Sequence, residues 1–149
     1  MTKKVRNVII LCFANYCRSP VAEKILSNYF EKEVSFSSYG LQPKIDVCMD
    51  PRSKSFLEEI NISDQEHFPR KIDQRKIDSS NLILCMDHFV LALMNKNFPK
   101  SAEKFKLFTF KEQGEKIEDP YRLGEDGYKE VMKKIEKTCK NFKAEDFSN

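Results

Sequence analysis

The run Val8-Ile9-Ile10-Leu11-Cys12-Phe13 is continuously apolar and of strand length, and within a few residues it meets Ser19-Pro20. A strand that is apolar on both faces must be covered on both, as a parallel strand lying between helices is. Ser19 reads as an N-cap and Pro20 as the first helical position, after which Val21, Ala22, Ile25, Leu26, Tyr29 and Phe30 recur at helical spacing. The predicted unit is strand, tight loop, helix.

The alternation continues down the chain. Val34 to Tyr39 is a second strand, closed by Gly40, and Asp50-Pro51 repeats the cap-plus-proline signal before a helix carrying Phe56, Leu57 and Ile60. Ser63 to Ser80 reads as charged and irregular. Leu82 to Met86 is a third strand, Phe89 to Met94 part of a helix, and Lys106 to Phe110 a fourth strand. A last helix from about Asp126 puts Val131, Met132, Ile135, Cys139 and Phe142 on one stripe. Strands alternating with helices predict an α/β fold on an open, four-stranded parallel sheet. The 149 residues, 40% hydrophobic, suit one core, and with no repeat or linker visible residues 1–149 read as a single domain.

Charge narrows the function. With 26 basic and 23 acidic residues the net charge is +3, too balanced for a sequence-independent nucleic-acid binder but compatible with a small anionic ligand. The five cysteines, Cys12, Cys17, Cys48, Cys85 and Cys139, cannot all pair, and none sits in a zinc-type Cys-x-x-Cys pattern. A reducing, cytoplasmic setting is the expectation. Met1 to Asn7 is basic, but the apolar run after it is short, so neither a signal peptide nor a membrane span is expected.

Open α/β sheets bind ligands beyond the carboxyl ends of their strands, and Cys12 ends the first one. The loop Phe13 to Arg18 offers several backbone N–H groups before a helix N-terminus, a concave donor array suited to a dianion. Arg18 adds a planar fork that can hold two phosphate oxygens. The same field favours a thiolate, and cysteines at helix N-termini have pKa values of roughly 3.5 to 7.5. An ionised Cys12 beneath a phosphate is placed for in-line attack on phosphorus. Ser19 can hydrogen-bond the sulfur, and Asn15 tolerates the left-handed backbone such a loop needs. The bare Cys-to-Arg spacing is weak, and any one cysteine is more often structural. Only Cys12 combines a strand end, donor loop, arginine, serine and proline-started helix.

Cys12-x5-Arg18-Ser19-Pro20 followed by Ala22-Glu23 resembles the low-molecular-weight protein tyrosine phosphatase family. Asp50-Pro51-Arg52, Ser37-Ser38-Tyr39-Gly40, His67 to Arg70, Leu82 to Asp87 and Asp119-Pro120-Tyr121 resemble further motifs of that family in the same order. The resemblance implies a three-layer α/β/α fold around the four-stranded sheet. It implies hydrolysis of phosphotyrosine through a cysteinyl-phosphate, with Cys12 as nucleophile and Arg18 on the phosphate. Phe13, Ala14, Asn15, Tyr16, Cys17, Ser19 and Tyr121 would line the substrate site. No metal or cofactor is expected. The implied partner is a tyrosine-phosphorylated protein, with a tyrosine kinase a candidate, bound by a monomer or weak dimer; no membrane or nucleic-acid partner is expected.

Expelling an aryl oxide needs a proton donor. On the residues alone Glu118, or Glu125 with Asp126, competes with Asp119; the resemblance assigns the acid to Asp119. Tyr16, Tyr39 and Tyr121 are the aromatic candidates for the mouth, although each could be an ordinary half-buried tyrosine. Arg122, after Tyr121, resembles the bacterial exopolysaccharide-associated branch.

The chain also departs from the family pattern. Ala14 replaces a glycine, at a cost of about 1 kcal/mol if its φ is positive. Tyr16 is bulkier than usual and argues against phosphoarginine, and Leu41 to Met49 is short and lacks tryptophan. Cys17 has two readings, a reversible disulfide partner for Cys12 as the family implies, or a small apolar residue packing the loop. Two rival functions are a thiol-linked arsenate reductase, in which Cys85 would serve a disulfide relay, and a non-catalytic phosphotyrosine-binding module.

Overall fold

The computed structural model describes residues 6–148. The basic N-terminal stretch noted above therefore lies largely outside the described residues. Strand β1 (Arg6–Cys12) is buried from Val8 to Cys12, as its unbroken apolar run requires. It pairs in parallel with β2 (Val34–Gly40) on one side and β3 (Leu82–Cys85) on the other, and β4 (Phe105–Leu107) adds to β3. The order β2-β1-β3-β4 makes the end of β1 the point where the winding reverses. Cys12 stands level with Gly40 of β2, while Leu11 stands level with Cys85 of β3.

Successive side chains of β1 go to opposite faces. Val8, Ile10 and Cys12 pack with α1 (Ser19–Phe30), α2 (Pro51–Glu59) and α5 (Glu125–Asn141), through Val21, Ile25, Leu57, Val131 and Ile135. Ile9 and Leu11 pack with α3 (Gln74–Asp78) and α4 (His88–Asn97), through Ile77, Val90 and Met94. The predicted three layers are present. Among the described residues no helix is long and apolar enough to cross a membrane.

Four local expectations need correction. The helix α3 lies inside the stretch read as irregular; it is one short turn-and-a-half, capped by Asp73 and burying only Ile77, so it leaves no periodic signature. The fourth strand ends at Leu107, because Thr109 turns the chain. Its carbonyl accepts from Glu112 N and Gly114 N, and its hydroxyl donates to Glu115 O at 2.7 Å. Ser19 is the first helical residue and not the N-cap; Arg18 holds the cap position with no side-chain cap bond. Phe142 falls just past α5, although it is buried with the stripe.

The chain end is stitched to the core by aromatic rings. Phe147 is fully buried, with ring centroids 5.2 Å from Phe30, 5.1 Å from Phe36 and 5.1 Å from Phe142. These edge-on and tilted pairs bridge α1, β2 and the end of α5. Phe147→Ala leaves a cavity there, and we expect a loss of about 3 to 5 kcal/mol in urea denaturation. An unchanged midpoint would show that this end contributes little.

Candidate active site

Between β1 and α1 the carbonyls of residues 12–18 are all engaged from outside the loop. Cys12 O accepts from Leu41 N, Phe13 O from Gln42 N, Ala14 O from Lys44 N, Tyr16 O from Asp50 N and Arg18 O from Ala22 N. Cys17 O accepts from the Ser53 hydroxyl at 2.8 Å, and Asn15 O from His67 Nε2 at 3.1 Å. Among the described residues, the N–H groups of Phe13, Ala14, Tyr16, Cys17 and Arg18 make no hydrogen bond to other protein groups. A loop whose carbonyls are committed outward presents its amides to its own concave side.

Asn15 fixes the shape of that loop. It is the loop's left-handed residue, at φ 52°, as expected; Ala14 is not at positive φ, so the feared strain is absent. The Asn15 side chain is fully buried, and its Oδ1 accepts from the backbone N–H of Arg70 at 3.0 Å and from His67 Nε2 at 3.0 Å. A backbone N–H can only donate, so the amide orientation is set and Nδ2 donates to Ser19 Oγ at 2.8 Å and Ser38 Oγ at 3.1 Å. Ser19 Oγ lies 2.9 Å from Cys12 Sγ, and toward an ionised sulfur its hydroxyl is the donor. Asn15 N–H donates to the same sulfur at 3.2 Å. Two hydrogen-bonding groups, the Ser19 hydroxyl and the Asn15 amide, thus converge on the sulfur.

Gly40 permits this proximity. A Cβ there would lie 2.8 Å from Phe13 O and 2.9 Å from Asn15 Cβ. His67 serves the loop as a neutral donor: both groups on its Nε2 are acceptors, which places the hydrogen on that nitrogen. Burial pushes its pKa down to about 4.

Arg18 is 4% exposed and rooted in two acceptors, Asp87 Oδ2 at 2.8 Å and Ile117 O at 2.8 Å, both on the same terminal nitrogen. Burial works against its charge, but the Cys12 sulfur and Asp87 outweigh it and hold the guanidinium above its ordinary pKa. Asp87 also caps α4, its Oδ1 accepting from Val90 N at 2.8 Å.

Cys12, Phe13, Ala14, Tyr16, Cys17, Arg18, Asp119 and Tyr121 line one cavity of about 340 Å³, together with Gln42, Pro43 and Lys44. Asp119 is exposed at its rim, with Oδ1 accepting from Tyr121 N at 3.1 Å. Tyr16 and Tyr121 meet edge to face, 6.0 Å between centroids, and the Lys44 ammonium lies 4.3 Å and 4.8 Å from the two ring centres.

This cavity, at the reversal point of a parallel sheet, can be set beside known proteins. The model of the low molecular weight phosphotyrosine protein phosphatase family matches residues 7–146. The chain belongs to this family. Wzb of Salmonella typhi, a low molecular weight protein-tyrosine-phosphatase, is 28% identical over 135 residues, covering 91% of this chain and 90% of Wzb. The crystal structure of the Erwinia amylovora tyrosine phosphatase AmsI superposes with a TM-score of 0.84 at 26% identity, covering 92% of this chain and 90% of AmsI. The YwlE arginine phosphatase of Geobacillus stearothermophilus shares the fold, with a TM-score of 0.83, 22% identity and coverage of 91% and 88%.

Within this low-molecular-weight phosphatase fold the ten residues named from the sequence fall on or directly behind one cavity. Asn15 and Ser19 stand behind the loop rather than on the cavity wall. Tyr39 does not reach the mouth; it is buried against Ile9 and Leu11, with Arg70 stacked 4.4 Å from its ring centre. Of the two readings of Cys17, packing is visible: it belongs to the core, and burial pushes its thiol up to about 12. The supporting groups Ser38, Arg52, His67 and Asp87 received no role from the sequence. All four lie in the motifs by which the sequence resembles the family, and Asp87 also carries a local signal, a capping residue at the end of a strand neighbouring β1.

The depressed His67 pKa makes stability depend on pH. Unfolded His67 takes up its proton near 6.5 and the native form only near 4, so stability falls as pH drops through that window. Between pH 7 and about pH 4.5 the protein should lose on the order of 2 kcal/mol more than a His67→Gln variant in urea titrations. Parallel losses in the two proteins would show that His67 is protonated in the fold.

Proposed function

We propose that the chain hydrolyses protein phosphotyrosine through a cysteinyl-phosphate, with Cys12 as nucleophile, Arg18 and the loop amides on the phosphate, and Asp119 as acid and then base. The observation that carries this is the sulfur on which the Asn15 amide and the Ser19 hydroxyl converge, in a cavity shared with Arg18 and Asp119. The thiolate attacks phosphorus opposite the aryl oxygen, the S–P bond forms and the P–O bond breaks. Asp119 delivers its proton to the departing oxygen. Water then attacks phosphorus and passes a proton to Asp119. The P–S bond breaks, the Ser19 hydroxyl and Asn15 N–H receive the returning charge on sulfur, and inorganic phosphate leaves. The loop amides and Arg18 stabilise the equatorial oxygens throughout. Two protonation changes of one carboxylic acid close the cycle, without a metal or cofactor.

Several features favour this reading over its rivals. Cys85 is fully buried on the α4 side of the sheet, whereas Cys12 faces α1, which opposes a disulfide relay between them. A retained sulfur, arginine and rim carboxylate in one cavity argue against a mere binding module. Aromatic faces of Tyr16 and Tyr121 suit a phenyl ring, while the Lys44 ammonium beside them opposes a phosphoguanidinium. A cytoplasmic phosphotyrosine protein, with a tyrosine kinase a candidate, is the partner this chemistry fits.

Cys12→Ser should abolish turnover while phosphate still binds. Asp119→Ala should lower kcat on phosphotyrosine by roughly a hundredfold, and much less on aryl phosphates with good leaving groups. Wild-type rates on phosphotyrosine for Asp119→Ala would show that another group is the acid.

A further inference from the structure

Asp119 sits on an irregular segment between β4 and α5, exposed and, among the described residues, tied by its own side chain only to Tyr121 N. Its position over the cavity must come from the backbone on either side. On the N-terminal side Arg18 holds Ile117 O. On the C-terminal side the segment is held by a second guanidinium: one terminal nitrogen of Arg52 donates to Leu123 O at 3.1 Å and the other to Tyr121 O at 3.0 Å.

Arg52 is itself constrained on three sides. Its Nε and one terminal nitrogen meet Asp50 Oδ1 at 3.0 Å and Oδ2 at 2.9 Å, a fork-to-fork pair. Its guanidinium lies 4.0 Å from the ring centre of Tyr128, a buried side chain whose hydroxyl is hydrogen-bonded to Ser53. Asp50 caps α2 and donates its N–H to Tyr16 O of the phosphate loop. Arg52 therefore bridges the loop's own support and the segment carrying Asp119. Lysine, a single point of charge, cannot make the paired bond to Asp50 and two diverging carbonyl contacts together.

We propose that Arg52 is a positioning residue that sets the reach of Asp119 to the leaving oxygen; this rests on the reading of Asp119 as the acid. Arg52 does not line the cavity of Cys12, so its loss acts through proton delivery. The effect is then confined to substrates whose leaving group needs a proton.

The test compares kcat on phenyl phosphate with kcat on dinitrophenyl phosphate for Arg52→Met, Arg52→Lys, Asp119→Asn and the double variant Arg52→Met with Asp119→Asn. Vanadate inhibition reports the loop. Arg52→Met and Arg52→Lys should each lose roughly ten- to a hundredfold on phenyl phosphate and little on dinitrophenyl phosphate, with vanadate affinity kept. In the Asp119→Asn background Arg52→Met should cost nothing further. Equal losses on both substrates, weakened vanadate binding, or an undiminished loss in the Asp119→Asn background would overturn the proposal and leave the acid assignment standing. If Asp119→Asn itself shows no dependence on the leaving group, the acid assignment fails and the role of Arg52 falls with it.

Discussion

The orientation of one buried amide controls the rest of the site. Asn15 combines a left-handed backbone with a side chain whose oxygen is claimed by the N–H of Arg70, a donor that cannot reverse its role. From that constraint the direction of Nδ2 and the acceptance by Ser19, whose Oγ lies beside Cys12 Sγ, follow in sequence. Arg70 is placed in turn by its carbonyl, which accepts from Gly40 N at 2.8 Å, and Gly40 is level with Cys12 in the sheet. The polarity around the sulfur is thus determined by strand pairing. Rotating the Asn15 amide would set two donors against each other in a site that excludes water, leaving buried groups unsatisfied at once.

The carboxylate over the cavity obeys an opposite requirement. Under the proposed mechanism this group gives and takes a proton in each cycle and must stay accessible, so it cannot be fixed by burial. Asp119 is exposed, while Ile117, two residues before it, and Pro120, directly after it, are buried. Backbone carbonyls on both sides of it are gripped by arginines, Arg18 before and Arg52 after. Because both arginines are also tied to carboxylates that cap helices, Asp87 of α4 and Asp50 of α2, the segment is referenced to rigid elements rather than to other loops.

What could be read from the sequence was whatever is local or periodic. The unbroken run of β1, the helical spacing after Pro20 and the cap at Asp50 were each sufficient for their elements. The left-handed conformation at Asn15 was legible for the same reason, since few residue types tolerate it. Groups whose role depends on distant partners were not. His67, Ser38 and Asp87 meet residues of the loop from the far side of long crossovers, and Arg52 reaches Tyr121 and Leu123 across 69 and 71 residues of chain. Ser19 misled because serine before proline is a strong cap signal; the sulfur outcompeted the helix end for its hydroxyl. Tyr39 stayed open between two readings because tyrosine serves mouths and cores equally well, and here β2 turns it into the core.

Substrate choice lies outside the fold. Tyrosine and arginine phosphatases share this sheet with TM-scores of 0.84 and 0.83, so the backbone does not separate them. The differences must come from side chains at the mouth. Here the short segment after β2 supplies no tryptophan, yet Lys44 spans the opening from it, donating to the Tyr121 hydroxyl at 3.1 Å while lying over the Tyr16 ring. Hydrogen bonding to Tyr121 raises the Lys44 pKa, so the mouth sets a cation beside two aromatic faces, with the Asp119 carboxylate on the same rim. On the proposed reading, such a rim favours a phosphate carried on a neutral aryl ring over one carried on a guanidinium. Under the proposed mechanism the discrimination is made before the sulfur is reached, by a lysine that takes no part in the chemistry.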